Sequence, residues 1–277
     1  MIHIQGFSSP GNNMWIPGSI EHTIYHAMST SPDHFSFPTE TDLKFTVECR
    51  KRILTNANAM NRSHAQFEVF ARSRCNPRYW LRTRTGGFQL RSGVSPAAAI
   101  EDIQVNSSQY AFECATAMMI ILYQSVLHMI GPQMFDRLYT DLYLYSWEAD
   151  PDLGLSADHT ASIIPGDVVY FHNPDFYPKT SPWRGENAIA MGNSIFFGHG
   201  IGMRKAEEIV HILNQHRRRG SMRSAYLMST ATRLDFVRIA SSINGLSRSA
   251  VSKIPSPIVH HNQSSISYDM YKRKKLP

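Results

Sequence analysis

One cysteine stands at the head of a long apolar segment, in a position that suits a nucleophile. Cys114 follows Glu113 and precedes the apolar run 115–130. The N-terminus of a helix presents unpaired N–H groups and a partial positive charge, and both stabilise a thiolate. The segment Asn106-Ser107-Ser108 contains good capping residues, which predicts that Cys114 lies in the first two helical turns. A small buried residue in an ordinary core helix is the alternative interpretation of Cys114.

Two later segments each place an ionisable residue among glycines and aromatic residues. Glu186 lies in Trp183-Arg184-Gly185-Glu186-Asn187, and His199 lies in Phe197-Gly198-His199-Gly200-Ile201-Gly202. Glycine weakens a strand unless the backbone has to approach another group closely, so the glycines around His199 favour a functional role. The alternatives are a carboxylate that pairs with Arg184 or faces water, and a histidine satisfied at a strand end.

The composition predicts a globular chain with a substantial core. Of 277 residues, 42% are hydrophobic and 18% are charged, and the net charge of +6 is too modest to indicate nucleic acid. Three scattered cysteines predict neither a disulfide framework nor a four-ligand zinc site, and the histidines and acidic residues form no metal-ligand pattern. We therefore expect no metal and no cofactor.

The sequence also lacks the features of export or of a membrane protein. Residues 1–6 have neither the basic start nor the apolar stretch of a signal peptide. The apolar run 115–130 is interrupted by Gln124, Ser125 and His128, and it is too short to span a bilayer. We expect synthesis in the cytoplasm and no membrane partner.

The order of elements predicts an α+β fold with three parts. Residues 1–40 are expected to be irregular apart from one short helix, 41–244 to form a single catalytic domain, and 245–277 to be a flexible Ser/Pro-rich and basic tail. Capping residues and apolar spacing predict helices from Thr41, from Pro96 after the cap Ser95, from the Cys114 region to Gly131-Pro132, from Phe135 to Trp147 and around 206–213. Turn residues and short apolar runs predict a strand at 167–171 and a hairpin of 187–191 with 194–198. A nucleophile helix packed on an antiparallel sheet is the core of papain-like and cell-wall-peptidase-like enzymes.

The hairpin yields a prediction of register. If Gly192-Asn193 is the two-residue turn, counting back along the strands places Glu186 directly opposite His199. Directly opposed residues lie on one face of the sheet, so this register would present a carboxylate and an imidazole side by side. A bulge at the glycines would shift it.

Five motifs occur in order along the chain and together resemble one enzyme family. They are Phe112-Glu113-Cys114-Ala115-Thr116-Ala117, Trp183-Arg184-Gly185-Glu186-Asn187, Phe197-Gly198-His199-Gly200-Ile201-Gly202, Ser224-Ala225-Tyr226-Leu227 and Thr232-Arg233-Leu234-Asp235. As a set they closely resemble the spore transglutaminases of the Bacillus type, which are protein-glutamine gamma-glutamyltransferases. The resemblance covers roughly 41–235, and the tail departs from the shorter members.

The resemblance implies a calcium-independent crosslinking reaction through a cysteine thioester, with release of ammonia. Cys114 is then the nucleophile, Glu186 the principal acid and base, and Glu113 a second, overlapping one. His199 would orient a group or bind substrate. Aromatic walls that hold the substrate and exclude water correspond to Phe67, Trp147, Phe171 and Trp183, for which ordinary core packing is the alternative. The implied partners are proteins that supply Gln and Lys side chains, such as spore coat proteins. The resemblance also implies synthesis in the mother cell and association with the spore coat.

Two other functions remain open on the sequence. A papain-like thiol peptidase or amidase would pair Cys114 with His199 and use water as acceptor. A structural coat protein with a degenerate site would have an unreactive Cys114. The arginine-rich stretch 72–91 is expected to be a solvated face, since charge runs are usually exposed.

Overall fold

The computed structural model describes residues 1–5, 14–243, 258–261 and 264–267. Seven helices are present in these ranges: α1 Ile20–Thr30, α2 Glu40–Arg62, α3 Pro96–Val105, α4 Cys114–Ile130, α5 Pro132–Leu138, α6 Ala206–Gln215 and α7 Phe236–Ile243. Short 3-10 turns at Phe70–Arg72, Ser107–Gln109, Pro151–Leu153 and Pro178–Arg184 connect several of the elements.

The strands of the same ranges form one large sheet and four small ones. They are β1 Ile2–Ile4, β2 Phe35–Phe37, β3 Gln66–Phe67, β4 Trp80–Arg82, β5 Phe88–Leu90, β6 Ala111–Phe112, β7 Tyr143–Leu144, β8 Ser156–His159, β9 Val168–His172, β10 Gly185–Gly192, β11 Ile195–Gly198, β12 Gly202–Lys205, β13 Tyr226–Arg233, β14 Ile258–His261 and β15 Ser264–Ser267. The six-stranded sheet has the order β12-β11-β10-β9-β13-β8, and all of its pairs are antiparallel.

The large sheet separates two hydrophobic clusters. The larger cluster contains Val168, Ile189 and Phe197 on one face of the sheet, together with residues of α1 to α5 and α7. The smaller cluster lies on the other face, where Phe171 and Ala188 pack with Ile209 of α6. The mixed helix and sheet architecture that the sequence predicts is confirmed, and α4 packs in the larger cluster next to β10.

Helix starts follow the capping residues at several positions. Thr39 and Asp42 form a reciprocal capping box at the start of α2. Ser95 caps α3 through the N–H of Ala98, with Pro96 as the first helical residue, as predicted. Gly131, with φ of 77°, ends α4 directly before α5 begins at Pro132.

The prediction of an aromatic helix from Phe135 to Trp147 is wrong. α5 ends at Leu138, and Tyr143–Leu144 forms β7 beside β5. Apolar side chains occur at Leu142, Leu144 and Tyr145, and short apolar runs of this kind do not distinguish strand from helix.

The N-terminal segment is more ordered than the sequence predicts. β1 pairs in parallel with β2, and α1 lies between them in the chain. Ile4, Ile24 and Met28 are each 2% exposed or less and belong to the larger cluster. The predicted boundary at residue 40 therefore falls inside a region that shares one core. In the tail, β14 and β15 pair with each other, and the other tail residues lie outside the described ranges.

A buried ion network ties three distant segments together. The carboxylate of Asp167, which precedes β9, accepts hydrogen bonds from Arg50 of α2 at 2.8 Å and from Arg233 of β13 at 2.7 and 2.8 Å. Arg50 and Asp167 are 1% and 0% exposed. Both arginines hold the charged carboxylate, so the pKa of Asp167 is lowered although burial opposes this.

Candidate active site

The N-terminus of α4 is capped by the residue beside the cysteine. Glu113 is the N-cap, and its carboxylate accepts the N–H groups of Ala115 and Thr116, both at 2.7 Å. Cys114 is the first helical residue, and its thiol donates to Glu113 Oε2 at 3.6 Å. The predicted caps at 106–108 instead form the end of α3 and a 3-10 turn. The helix therefore directs its free N–H groups to a carboxylate, and the sulfur lies next to that carboxylate.

The hydroxyl of Thr116 connects Glu113 to the segment that carries Trp147. It donates to Glu113 Oε1 at 2.8 Å and accepts the N–H of Ser146 at 3.0 Å. Ser146 is 1% exposed and has a φ of 52°, in the left-handed region that non-glycine residues seldom adopt. Trp147, the next residue, is 9% exposed. The packing that orients Glu113 thus also fixes the backbone on which Trp147 is placed.

The second side of the sulfur is occupied by Asn187. Its Nδ2 donates to Cys114 Sγ at 3.4 Å, and the residue is buried. Asn187 pairs with Tyr170 on β9, two residues before Ile189 pairs with Val168. Because side chains alternate along a strand, Asn187 shares with Ile189 the face that packs on α4.

Glu186 leaves β10 on the opposite face from Asn187. It pairs with Phe171, and the same face carries Ala188, which pairs with Gly198. A Cβ added at Gly198 would lie 2.7 Å from Glu186 Oε1, so a side chain there would displace the carboxylate. Glu186 is 5% exposed, and among the described residues its Oε1 has no hydrogen-bond partner.

The sulfur and the two carboxyls influence one another electrostatically. Burial raises the pKa of the Cys114 thiol well above its ordinary value, and the negative charges of Glu186 and Glu113 raise it further. Burial, and then the charge of Glu113, raises the pKa of Glu186. Burial also raises the pKa of Glu113, against the hydrogen bonds from Ala115 and Thr116. Since buried negative charges repel each other, these contacts favour the neutral form of the thiol.

His199 lies in the loop between β11 and β12, and its surroundings make its ring a weak base. Its ring stacks on Phe112, with centroids 4.7 Å apart, and Nε2 is 3.1 Å from the carbonyl oxygen of Gln66. A carbonyl only accepts, so Nε2 carries the proton. Burial lowers the pKa of His199 to about 4, and the ring is neutral at neutral pH. The ring of Phe67 lies 6.1 Å from it.

The predicted register that opposed Glu186 and His199 is wrong. The two turn residues are Asn193 and Ser194, with φ of 50° and 57°, and not Gly192-Asn193. A bulge at Met191 then gives the pair Ala188↔Gly198. The strand pairing ends there, so the register does not bring the carboxylate and the imidazole together.

The four predicted wall residues occupy different environments. Phe67 is half-buried beside His199, and Trp147 is nearly buried behind the N-terminus of α4. Trp183 stacks on His216 with centroids 3.9 Å apart. Phe171 is fully buried, with its ring edge-on to Phe196 on the α6 side of the sheet, which is the environment of a core residue.

Sequence reasoning missed three residues of this site: Asn187, Thr116 and Ser146. The first two stand inside motifs that carry the family resemblance, directly after Glu186 and two positions after Cys114. Alternation along a strand predicts that Glu186 and Asn187 point to opposite faces of the sheet. The contact of β10 with α4 is needed to tell which of these faces meets Cys114. Ser146 has no signal in the sequence, because its role depends on backbone conformation.

Comparison with known proteins decides the family. The sequence model described as protein-glutamine gamma-glutamyltransferase matches residues 1–243. The chain belongs to this family. The match begins well before residue 41, so the family domain includes the N-terminal segment that shares the core. The enzyme is therefore a transglutaminase, and protein-glutamine crosslinking is the activity of its family.

Individual relatives agree along most of the chain. The protein-glutamine gamma-glutamyltransferase of Halalkalibacterium halodurans is 43% identical over 250 residues, which cover 90% of this chain and 88% of that protein. The enzyme of the same name from Bacillus mycoides is 43% identical over 212 residues, or 76% of this chain and 77% of its own. A solved transglutaminase from Geobacillus stearothermophilus, without its C-terminal extension, superposes with a TM-score of 0.71 at 44% identity, covering 74% of this chain and 98% of that one.

The described residues of this transglutaminase contain neither a cluster suited to a metal ion nor a membrane-spanning helix. Across 1–5, 14–243 and the two short tail strands, no three His, Cys, Asp or Glu side chains are placed to hold a metal ion. Within the same residues no helix has both the length and the apolarity needed to cross a bilayer.

Proposed function

We propose that Cys114 attacks the side-chain carboxamide of a protein glutamine and forms a thioester with release of ammonia. The amine of a lysine side chain then attacks the thioester carbonyl; an isopeptide bond forms, the C–S bond breaks, and the Cys114 thiol is regenerated. A thiolate suits both halves because it is a strong nucleophile and a good leaving group. The observation that supports this most is the position of Sγ, 3.6 Å from Glu113 Oε2 and 3.4 Å from Asn187 Nδ2.

Glu186 and Glu113 carry the protons in this scheme. In the first step the thiol proton passes to a carboxylate and then to the departing ammonia; in the second, a carboxylate takes the proton of the attacking amine. A carboxylate with an ordinary pKa is a poor base toward a thiol, and burial raises the pKa of both carboxyls. The unpaired Oε1 makes Glu186 the principal base, whereas the oxygens of Glu113 are partly occupied by helix N–H groups.

Asn187 supports the ionised sulfur. Its Nδ2–H donates to Sγ, and this bond, with a second from its backbone N–H, lowers the pKa of the thiol against the effect of the two carboxyls. In a site that contains two acidic side chains, a neutral donor stabilises the thiolate without adding a cation that would pair with the carboxyls instead.

The pairing of Cys114 with His199 in a thiol hydrolase has less support. His199 has its Nε2–H on the Gln66 carbonyl, and its pKa of about 4 makes it a weak base. No hydrogen bond among the described residues joins it to Cys114. His199 therefore positions the loop against Phe112 in our proposal, and the transfer reaction depends on carboxylates.

The fold supports a papain-like or cell-wall-peptidase-like core. Cys114 begins a helix that packs against the antiparallel sheet, and Asn187 reaches the sulfur from the neighbouring strand β10. Phe67, Trp147 and Trp183 form the walls of the substrate passage in this proposal, and the hydrophobic cluster that contains Phe171 supports Trp183. Such walls exclude water, which would hydrolyse the thioester.

The biological setting is proposed from the family resemblance. The substrates are then proteins of the spore coat, the enzyme is made in the mother cell, and no metal ion takes part. Thiol and carboxyl groups supply every proton and bond of the scheme, so activity should survive an excess of EDTA.

Amine incorporation tests the reaction directly. The wild-type enzyme should attach dansylcadaverine to a glutamine-rich protein and release one ammonia per amine, whereas a hydrolase would release ammonia without fluorescence. Cys114→Ala should abolish incorporation and leave the melting temperature nearly unchanged, since thiol and methyl differ little in volume. Cys75→Ala, at a half-buried cysteine, is the control and should retain most activity. Incorporation by the Cys114 variant would exclude this mechanism. Absence of both ammonia release and amine incorporation in the folded wild type would instead favour a degenerate site.

A further inference from the structure

One segment of this protein carries a high positive charge. Residues 66–91 contain six arginines, one glutamate, and neither lysine nor aspartate, for a net charge of +5. The whole chain carries +6, so the other residues together are almost balanced. All six arginines are exposed, and we refer to them as the arginine face: Arg72, Arg74, Arg78, Arg82, Arg84 and Arg91.

The arginine face begins at the edge of the active site. The backbone of Arg74 exchanges two hydrogen bonds with Ala111, at 2.8 and 2.9 Å, three residues before Cys114. The guanidinium of Arg74 donates to Gln66 Oε1 at 2.8 Å, and the carbonyl of Gln66 holds His199. A chain that reaches Cys114 past Phe67 therefore passes these cations.

A second contact ties the face to the Trp147 side of the site. Phe70, in the 3-10 turn that ends at Arg72, packs on Tyr145 with ring centroids 4.5 Å apart. The turn that carries Arg84 lies against the same residue, because a Cβ at Gly86 would be 2.1 Å from the Phe70 carbonyl oxygen. Arg72 and Arg84 are thus presented from two adjoining turns beside the site.

Some arginines of the arginine face form hydrogen bonds or ion pairs within the protein, and others do not. Arg82 fastens the turn to Ser73, Phe70 and Ala71, and Arg72 forms an exposed pair with Glu68 at 2.8 Å. Among the described residues, the guanidinium groups of Arg84 and Arg91 have no hydrogen-bond or ion-pair partner. A cluster of cations with a single acidic neighbour, Glu68, attracts anionic partners and raises their local concentration.

We propose that the arginine face binds acidic side chains that flank the reactive glutamine of a protein substrate. This inference rests on the proposed function and specifies its substrate class: glutamines in segments rich in Asp and Glu. Arginine suits this role because its guanidinium group matches the geometry of a carboxylate and stays charged at every working pH.

A pair of peptides tests the proposal. Both contain one glutamine and no lysine, and four flanking positions are Asp or Glu in one peptide and Ser in the other. Dansylcadaverine is the amine. At low salt the wild-type kcat/KM should be at least about fourfold higher for the acidic peptide, since each exposed ion pair contributes a factor of about two. In 1 M NaCl, where the screening length is about 3 Å, the preference should vanish.

Matched double variants assign the effect to this face. Arg72→Ser with Arg84→Ser should lower the acidic preference by about fourfold while leaving kcat/KM for the serine peptide unchanged. Arg137→Ser with Arg219→Ser removes two exposed arginines elsewhere and should leave the preference intact. Equal use of both peptides by the wild type, or a preference that persists in the first variant, overturns the proposal alone. Incorporation into neither peptide overturns the proposed function as well.

Discussion

At the scale of single residues, the site contains three buried acidic groups that affect one another's ionisation. Cys114, Glu113 and Glu186 each have a raised pKa, for which burial is the largest cause. A carboxyl group and a thiol differ by several pKa units in water, and proton transfer between them is then unfavourable. Burial makes each carboxylate a stronger base by raising its pKa, and the hydrogen bonds from Asn187 lower the pKa of the thiol. Both effects favour proton transfer from the sulfur to a glutamate.

Substitution of the two carboxyls should separate their roles. Glu186→Gln is expected to lower kcat by ~10²- to 10⁴-fold, the usual contribution of a general acid–base group. Glu113→Gln should cost less, because the amide oxygen can still accept a helix N–H while Glu186 remains. Initial rates of dansylcadaverine incorporation measure both. Equal and negligible effects would remove the carboxylates from the mechanism and restore the pairing of cysteine with histidine.

The raised pKa of Glu186 also predicts an effect on stability. Below its unfolded value of 4.5 the carboxyl is protonated in both states, and it contributes no pH-dependent difference. As the pH rises above this value, the unfolded chain loses the proton first, and the folded state becomes relatively less stable. Glu186→Gln should therefore melt at a higher temperature than the wild type at pH 8, and the gain should shrink toward pH 4. Scanning calorimetry at both pH values decides this, and an unchanged gain would contradict the assigned ionisation.

Contacts within the site were predictable where the two residues are neighbours in the sequence. Cys114 and Glu113 are neighbours in the chain, and their contact needs only the helix start. The bond from Asn187 to the sulfur needs two elements packed together, which no spacing in the sequence reveals. For this reason the contact of Cys114 with Glu113 was predictable and the hydrogen bond from Asn187 was not.

At the scale of elements, prediction succeeded where a residue has few conformations available. Pro96 begins α3 through its restricted φ, and Gly131 ends α4 through its positive φ; both boundaries match the prediction. The hairpin turn failed because Asn193 and Ser194 both adopt positive φ, although glycine would be the usual second turn residue. A one-residue shift of a turn changes every opposed pair, so the error extended to Glu186 and His199.

The ion network under the sheet should be the most sensitive polar group of the fold. Asp167→Asn removes the charge that balances Arg50, which is 1% exposed and cannot reach water. Breaking a buried pair in this way costs about 3–5 kcal/mol of unfolding free energy. Urea unfolding followed by circular dichroism measures the change.

A surface pair provides the control for this network. Asp152→Asn removes the partner of Arg238, whose side chain is 44% exposed, and should cost less than about 1 kcal/mol. Because the pKa of Asp167 is lowered in the fold, the stability it contributes should be lost as the pH falls through the acidic range. Equal losses for Asp152→Asn and Asp167→Asn would show that the buried network contributes nothing beyond a surface ion pair.

At the scale of the whole molecule, the sheet joins segments that lie far apart in the chain. β13 inserts between β9 and β8, and the carboxylate of Asp167 links α2 to β13. Local signals predict the strands but not their order, since pairing depends on the packing of both sheet faces. The same limit explains the N-terminal segment: its Ser, Pro and Asn content resembles a loop, yet its few apolar residues complete the core.

Truncation from the two ends should therefore have opposite outcomes. Removal of residues 1–38 deletes Ile4, Ile24, Tyr25, Met28 and Phe37, all 7% exposed or less. At about 1.5–3 kcal/mol for each buried side chain, the loss is on the order of 10 kcal/mol, which equals the whole stability of many domains. The shortened chain should be unfolded or inactive by circular dichroism and amine incorporation. A chain that ends at residue 243, where the family match ends, keeps every element described around Cys114 and should retain its fold and activity. Full activity without residues 1–38 would show that the catalytic domain begins near residue 41 after all.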